Sequence, residues 1–286
     1  MRDTYLRYSQ SLIRAIPEEE LLNSIADAGR LVKENEYKEE VDVLVLGFLR
    51  DVWLSEAVGD RVYGDPANIV YMIMEGTEKP AVLPPKVWVG LQNMWKAVSF
   101  LRYDRDAIVF NQSLVTGLHR LVMQCLTDHP GQLRTKIVSA AGTNLIYTPP
   151  HMIERQLVEL LALTDNSLKN ISTIVDAFRL ATWFFVQFLR IHPFQNGNGR
   201  LARILTAIML QRFVHFPVTL ISTNYHDHDD YMAALVRAQQ HDDYTLIQRR
   251  FLESAHRSSV HILSLFNQGP DLDMPSSTMS GSSSSA

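Results

Sequence analysis

The stretch that most constrains this fold runs from Leu180 to Leu189, ten residues between Arg179 and Arg190 and the most hydrophobic part of the chain. About 20 apolar residues are needed to span a bilayer, so ten predict a buried helix instead. Pro193 cannot sit inside a helix, so that helix ends near His192. A second helix is expected from Gly199 to Phe213, amphipathic, with Ile204, Leu205, Ile208 and Met209 on its buried side. Two core helices joined by one short loop therefore anchor everything else.

Helical spacing dominates the remainder. Pro17 followed by Glu18, Glu19 and Glu20 is a helix start, and that helix should run to about Lys33. Val41, Leu44, Val45, Phe48, Leu49, Val52 and Trp53 repeat with helical period and predict a helix over Glu39–Val58. Further helices are expected at Ala67–Met74, Lys86–Leu101, Asn111–Leu126, His151–Leu163, Asn170–Ile191, Asp229–Gln240 and Tyr244–Phe266. Only Gln132 to Pro150 has strand character, and it reads as a short hairpin ended by Pro149 and Pro150. The Ser-rich residues 267–286 are expected to be disordered.

Composition narrows the function. The chain has 286 residues, 46% of them hydrophobic, enough for one large domain or two small ones. A net charge of -4 with 20% charged residues leaves no basic footprint, so neither nucleic acid nor a membrane is an expected partner. The start, Met1 to Tyr5, lacks the apolar core of a signal peptide, and a cytoplasmic location is expected. The single cysteine, Cys125, excludes an internal disulfide. It lies in the apolar run Leu121–Leu126 and is expected to be buried.

The chemistry concentrates in residues 191–203, Ile-His-Pro-Phe-Gln-Asn-Gly-Asn-Gly-Arg-Leu-Ala-Arg. Gly197, Asn198 and Gly199 fall at a helix N-terminus, where N–H groups lack intrahelical partners and attract anions. Arg200 and Arg203 share one face of that helix, and their guanidinium forks suit phosphate oxygens. His192, on the opposite rim, has an ordinary pKa near 6.5 that suits a general base. Taken singly, each feature has a plainer explanation: Asn-Gly is commonly a turn, a helix-end histidine is commonly structural, and two arginines at this spacing are commonly a solvated face. In combination they supply what a phosphoryl-centred transfer needs.

His-Pro-Phe-x-x-Gly-Asn-Gly-Arg followed by x-x-Arg resembles the signature of the Fic family. At about 1 in 20 per position, seven matches arise by chance on the order of once in a million such chains or less. Leu118-His119-Arg120-Leu121, Tyr147-Thr148-Pro149-Pro150, Tyr231–Leu235 and Asp243–Ile247 extend the likeness over roughly residues 40 to 257. The resemblance implies an all-α fold, a Fic helical bundle with a short β-hairpin flap. It implies an N-terminal helical region (1–107) holding an inhibitory helix near 50–60, a core (108–215), C-terminal helices (216–266) and the tail (267–286).

By the same resemblance, the protein would move AMP from ATP to a Ser, Thr or Tyr hydroxyl of a target protein, with Mg²⁺ or Mn²⁺ and release of pyrophosphate. Self-modification and a homodimer are compatible with it. His192 would take the hydroxyl proton, and Phe194 would anchor the loop. Gly197, Asn198 and Gly199 would cradle the α- and β-phosphates, while Arg200 and Arg203 hold the distal ones. Flap residues Thr143, Asn144, Leu145 and Ile146 would add the target segment as a strand. Tyr231 would pack against the base.

Two positions depart from the family pattern. Asn196 stands where an acid usually binds the metal, and a neutral amide is a weaker ligand for a hard cation. Weaker metal binding, another donor (a UMP, phosphoryl or phosphocholine group) and a catalytically weak, binding role all follow as readings. The family's inhibitory Ser/Thr-x-x-x-Glu-Gly/Asn falls at Ser55–Asp60, with Gly59 in the Glu position. The alternative register, Tyr71–Gly76, offers Glu75. Finally, His226-Asp227-His228-Asp229-Asp230 could hold a metal, but capping of the following helix by Asp229 or Asp230 is the favoured reading.

Overall fold

Helix α5 (Ile174–Ile191) is the pivot of the molecule, and its length follows from its two ends. At the start, the Thr173 hydroxyl oxygen accepts the Asp176 N–H at 3.1 Å and its hydroxyl donates to the Asp176 carboxylate at 2.7 Å. That cap moves the start to Ile174 from the expected Asn170. At the end, His192 turns left-handed (φ 50°, ψ 60°) and its N–H closes on the Phe188 carbonyl at 2.9 Å. Ten of its eighteen residues are buried, among them Phe178, Phe184, Phe185 and Phe188.

The computed structural model describes residues 16–34, 69, 72–73, 75–81, 83–101, 108–139, 146–218 and 225–267. Among these the order is α1 (Glu18–Glu34), α2 (Pro85–Leu101), α3 (Gln112–Val122), α4 (Pro150–Leu168), α5, α6 (Asn198–Val214), α7 (Tyr225–His241) and α8 (Thr245–Asn267). The expected helix at Glu39–Val58, Gly59, the flap tip Thr143–Leu145 and the tail lie outside the described residues. The helical expectation holds. Where the hairpin was expected, the described residues form no strand and show one isolated antiparallel bridge, Ser139 to Ile146, with the Tyr147 N–H on the Val138 carbonyl at 3.3 Å.

Helix α6 corrects the sequence reading. It was expected to be amphipathic, yet twelve of its seventeen residues are buried. The reason is that α1, α3 and α5 all pack against it. At Gly29 of α1, an added Cβ would stand 2.6 Å from the Val214 carbonyl oxygen, so the two backbones meet where α1 crosses the end of α6. A single core runs from Leu21 on α1 to Ile262 on α8. A smaller cluster of Ile73, Leu83, Trp88 and Leu91 sits under α2.

Two further expectations are corrected. Cys125 is exposed, not buried. The Asn93 side-chain amide donates to the carbonyls of Val122 (3.4 Å) and Gln124 (2.7 Å), which ends α3 at Val122. The chain then turns, and Cys125 takes a left-handed conformation (φ 60°) at the surface. Helix α7 begins at Tyr225, ahead of the His/Asp cluster, so neither Asp229 nor Asp230 is its cap. Asp230 instead accepts from Arg250 at 2.7 Å. No described helix is long and apolar enough to cross a membrane.

Candidate active site

The loop between α5 and α6 is closed by its own residues. The Asn198 side-chain oxygen accepts the Phe194 N–H at 3.0 Å, and its amide donates to the Phe194 carbonyl at 2.8 Å. Both polar groups of Phe194 are thereby satisfied, so its ring can be fully buried at no hydrogen-bonding cost. The ring stacks on His119 of α3, centroids 3.7 Å apart and planes 4° from parallel.

His119 is fixed in one tautomer. Its Nδ1 accepts the Gly131 N–H at 2.8 Å, so the proton belongs on Nε2, which donates to the Asn196 carbonyl at 3.0 Å. Burial pushes its pKa down to about 4; the bond to the Asn196 carbonyl pulls against that, and the Arg200 guanidinium adds to it. The neutral ring thus acts as a rigid strut between α3 and the loop.

Gly197 ends the loop in the left-handed region (φ 79°). A Cβ there would lie 2.6 Å from Met123 Sδ, so no other residue fits without displacing the thioether. Helix α6 starts at the next residue, and the Leu201 N–H, on the Gly197 carbonyl at 3.0 Å, is the first taken within it. The N–H groups of Asn198 and Gly199 precede it, at the positive end of the helix dipole. Arg200 is half-buried and Arg203 is 5% exposed, one turn further along. An anion here would meet these backbone donors at the helix N-terminus.

His192 forms the opposite rim. Its ring stacks on Tyr147 with centroids 3.9 Å apart and planes 14° from parallel. Burial raises the Tyr147 phenol pKa, partly offset by the nearby Arg134 cation. Below the ring, Arg134 donates to the carbonyls of Ile191 (3.2 Å) and His192 (2.6 Å).

The structure therefore brings together His192, Asn196, Gly197, Asn198, Gly199, Arg200 and Arg203 in one continuous segment. The Asn198 side chain is used to close the loop, so what it offers an anion is its backbone N–H. Asn196 is exposed at the apex. Ile146 is 70% exposed at its bridge to Ser139. Tyr231 sits in the core, 4% exposed and edge-on to Phe185, so little of its ring is open to a base. Glu75 is exposed in a turn where the Thr77 N–H and hydroxyl both donate to the Met72 carbonyl at 3.0 Å. His119 and Tyr147 were noted in the sequence only as parts of longer stretches, while Arg134 and Met123 carried no signal there at all.

Residues 109–210 match the model of the Fic/DOC family. A Fido domain-containing protein of Dictyostelium discoideum is 30% identical over 97 residues, 34% of this chain and 64% of that protein. A probable protein adenylyltransferase of Aquifex aeolicus is 23% identical over 205 residues, 71% of this chain and 60% of that one. The chain spans about six-tenths of the length of these curated relatives. In structure it is similar to a Fic family protein from Desulfovibrio desulfuricans G20, with a TM-score of 0.71 and 18% identity over 91% of this chain and 78% of that one. It is also similar to residues 134–508 of Fic-1 from C. elegans, with a TM-score of 0.69 and 18% identity over 93% and 76%. Over residues 109–210 the chain thus matches a Fic/DOC family domain.

Proposed function

We propose that this Fic/DOC domain transfers AMP from ATP to a Ser, Thr or Tyr hydroxyl of a target protein, releasing pyrophosphate. One observation carries the reading. A single hydrogen-bonded loop sets a histidine on one rim and a helix N-terminus backed by two arginines on the other. In the proposed step the target oxygen attacks the α-phosphorus and its proton passes to His192. A bond forms between that oxygen and phosphorus. The bond from the α-phosphorus to the oxygen bridging to the β-phosphate breaks. Pyrophosphate carries away the electron pair, and Arg200 and Arg203 balance the charge that develops there.

The chain's donor set is poor for a tightly held Mg²⁺. Asn196 offers one neutral amide oxygen, and the described residues hold no cluster of three metal-binding side chains. In this proposal Mg²⁺ or Mn²⁺ enters with the triphosphate, and no step depends on a metal fixed by the protein. The feet of the flap support strand addition. Ile146 (70% exposed), in the bridge, and Ile137 (73% exposed), two residues before its partner Ser139, leave apolar surface for a target segment, to which Thr143, Asn144 and Leu145 would add. Gly59 in place of a glutamate supports an enzyme without the family's inhibitory carboxylate at that position.

ATP labelled at the α-phosphate tests the reaction. Label should appear on the chain itself or on a target protein, and His192→Ala should abolish it. Label that persists in that variant rejects His192 as the base. Asn196 also favours a second reading, transfer from another donor by the same loop. Side-by-side labelling with ATP, UTP and a phosphocholine donor decides between them.

A further inference from the structure

Arg134 is 5% exposed, and its guanidinium meets carbonyls among the described residues rather than carboxylates. Nε donates to His192 O at 2.6 Å, and Nη1 donates to Lys136 O at 2.7 Å. Nη2 donates to Ile191 O at 3.2 Å and to Thr148 O. Its own N–H donates to Pro193 O at 2.9 Å. Burying a cation against dipoles alone is costly, and here the geometry is specific. Ile191 and His192 supply carbonyls that the end of α5 leaves without helical partners. Lys136 and Thr148 belong to the two feet of the flap. The Thr148 N–H adds a bond to Arg190 O at 3.4 Å on the same turn. Between the feet, Tyr147 lies flat on the His192 ring.

We propose that Arg134 is a positioning residue that locks the flap to the catalytic loop, so that one fork sets both the orientation of His192 and the register at which a target segment meets it. A plain helix cap would need only the carbonyls of Ile191 and His192. The bonds to Lys136 and Thr148, and the stack they hold in place, are what the geometry adds. A lysine in its place keeps the charge but not the planar fork, and cannot reach four carbonyls at once. The consequence for transfer rests on the reaction proposed above; the consequence for His192 does not.

The test uses the full chain with ¹³C-labelled histidine. The His192 ring signal is assigned by its loss in His192→Ala. Tyr147→Ala measures how far the stacked phenol shields that ring. Arg134→Gln is expected to produce most of the same displacement, and Arg134→Lys an intermediate one, while the signal of His261, exposed near the end of α8, stays in place. In the labelling assay, Arg134→Gln should lower kcat by about a hundredfold, the size of effect that an ångström of misplacement produces, with the KM for ATP little changed. If Arg134→Gln does not fold, Arg134→Lys carries the test. A folded variant whose His192 signal matches the wild type overturns the proposal, as does the failure of both variants to fold. A wild-type chain that never transfers label defeats the proposed reaction but leaves the spectroscopic result standing. An unmoved His192 signal beside an active wild type defeats the role of Arg134 alone.

Discussion

The loop floor and the two ends of the expected flap hold the same histidine by different means. On the loop side, Asn198, Phe194 and His119 lock one another through two short hydrogen bonds, a ring stack and a fixed imidazole tautomer, all of them buried. On the flap side, one guanidinium, one stacked phenol and two backbone bonds, Arg134 N–H to the Pro193 carbonyl and Thr148 N–H to the Arg190 carbonyl, do the holding, next to two isoleucines that face solvent. The loop is locked wholly within the core, whereas the flap side is fastened beside residues that face solvent. For an enzyme of the proposed kind, this matches the two tasks. The nucleotide is always the same and benefits from a preorganised cradle, whereas the target backbone must be admitted from outside.

That contrast can be broken by measurement. Phe194→Ala removes a fully buried ring and should cost about 3–5 kcal/mol of stability in urea unfolding. Tyr147→Ala should cost about 1 kcal/mol, the order of a lost aromatic stack. Equal costs would mean that the flap is as deeply built in as the loop.

His119 provides the next largest effect. Its folded pKa of about 4 lies below the unfolded value near 6.5, so between those values the unfolded chain binds a proton that the native chain refuses. Stability from this group is complete above pH 6.5 and falls as the pH drops toward 4, by up to roughly 3 kcal/mol. His119→Gln should flatten that part of the pH–stability curve. An unchanged slope in the variant would show that other groups carry it.

Asn198→Ala leaves the buried Phe194 N–H and carbonyl without partners and should cost about 2–3 kcal/mol. Tyr147→Phe keeps the stack and should shift stability by less than about 0.5 kcal/mol. A larger loss there would give the hydroxyl a structural part that the stack alone does not explain.

What the sequence made legible follows from where the information lies. Residues 192–203 are contiguous, so the proposed base, cradle and two arginines could be read together. The framework around them is not contiguous. Arg134 reaches His192 across 58 positions, and His119 reaches Asn196 across 77. A lone arginine in a polar stretch carries no pattern. Helix types were readable from periodicity, but several ends were set by distant or side-chain bonds. Asn93 stops α3 from 29 residues away, and Thr173 starts α5 four residues late. Cys125 was misjudged for the same reason: an apolar run does not say where its helix stops. Tyr231, expected beside a base, is 4% exposed, and the sequence cannot tell a pocket wall from the core behind it.

Helix α1 packs against α8 and the end of α6, and the Ser24 and Ser259 hydroxyls, 235 residues apart, meet at 2.8 Å. The first described helix to leave the ribosome therefore waits for the last. At about 5–20 residues per second, that interval is on the order of 10–50 s. Throughout it, the apolar face of α1, with Leu21, Ile25 and Val32, lacks the part of its wall that α8 supplies. The site between α5 and α6 is synthesised midway, but its core closes only when the C-terminal helix arrives.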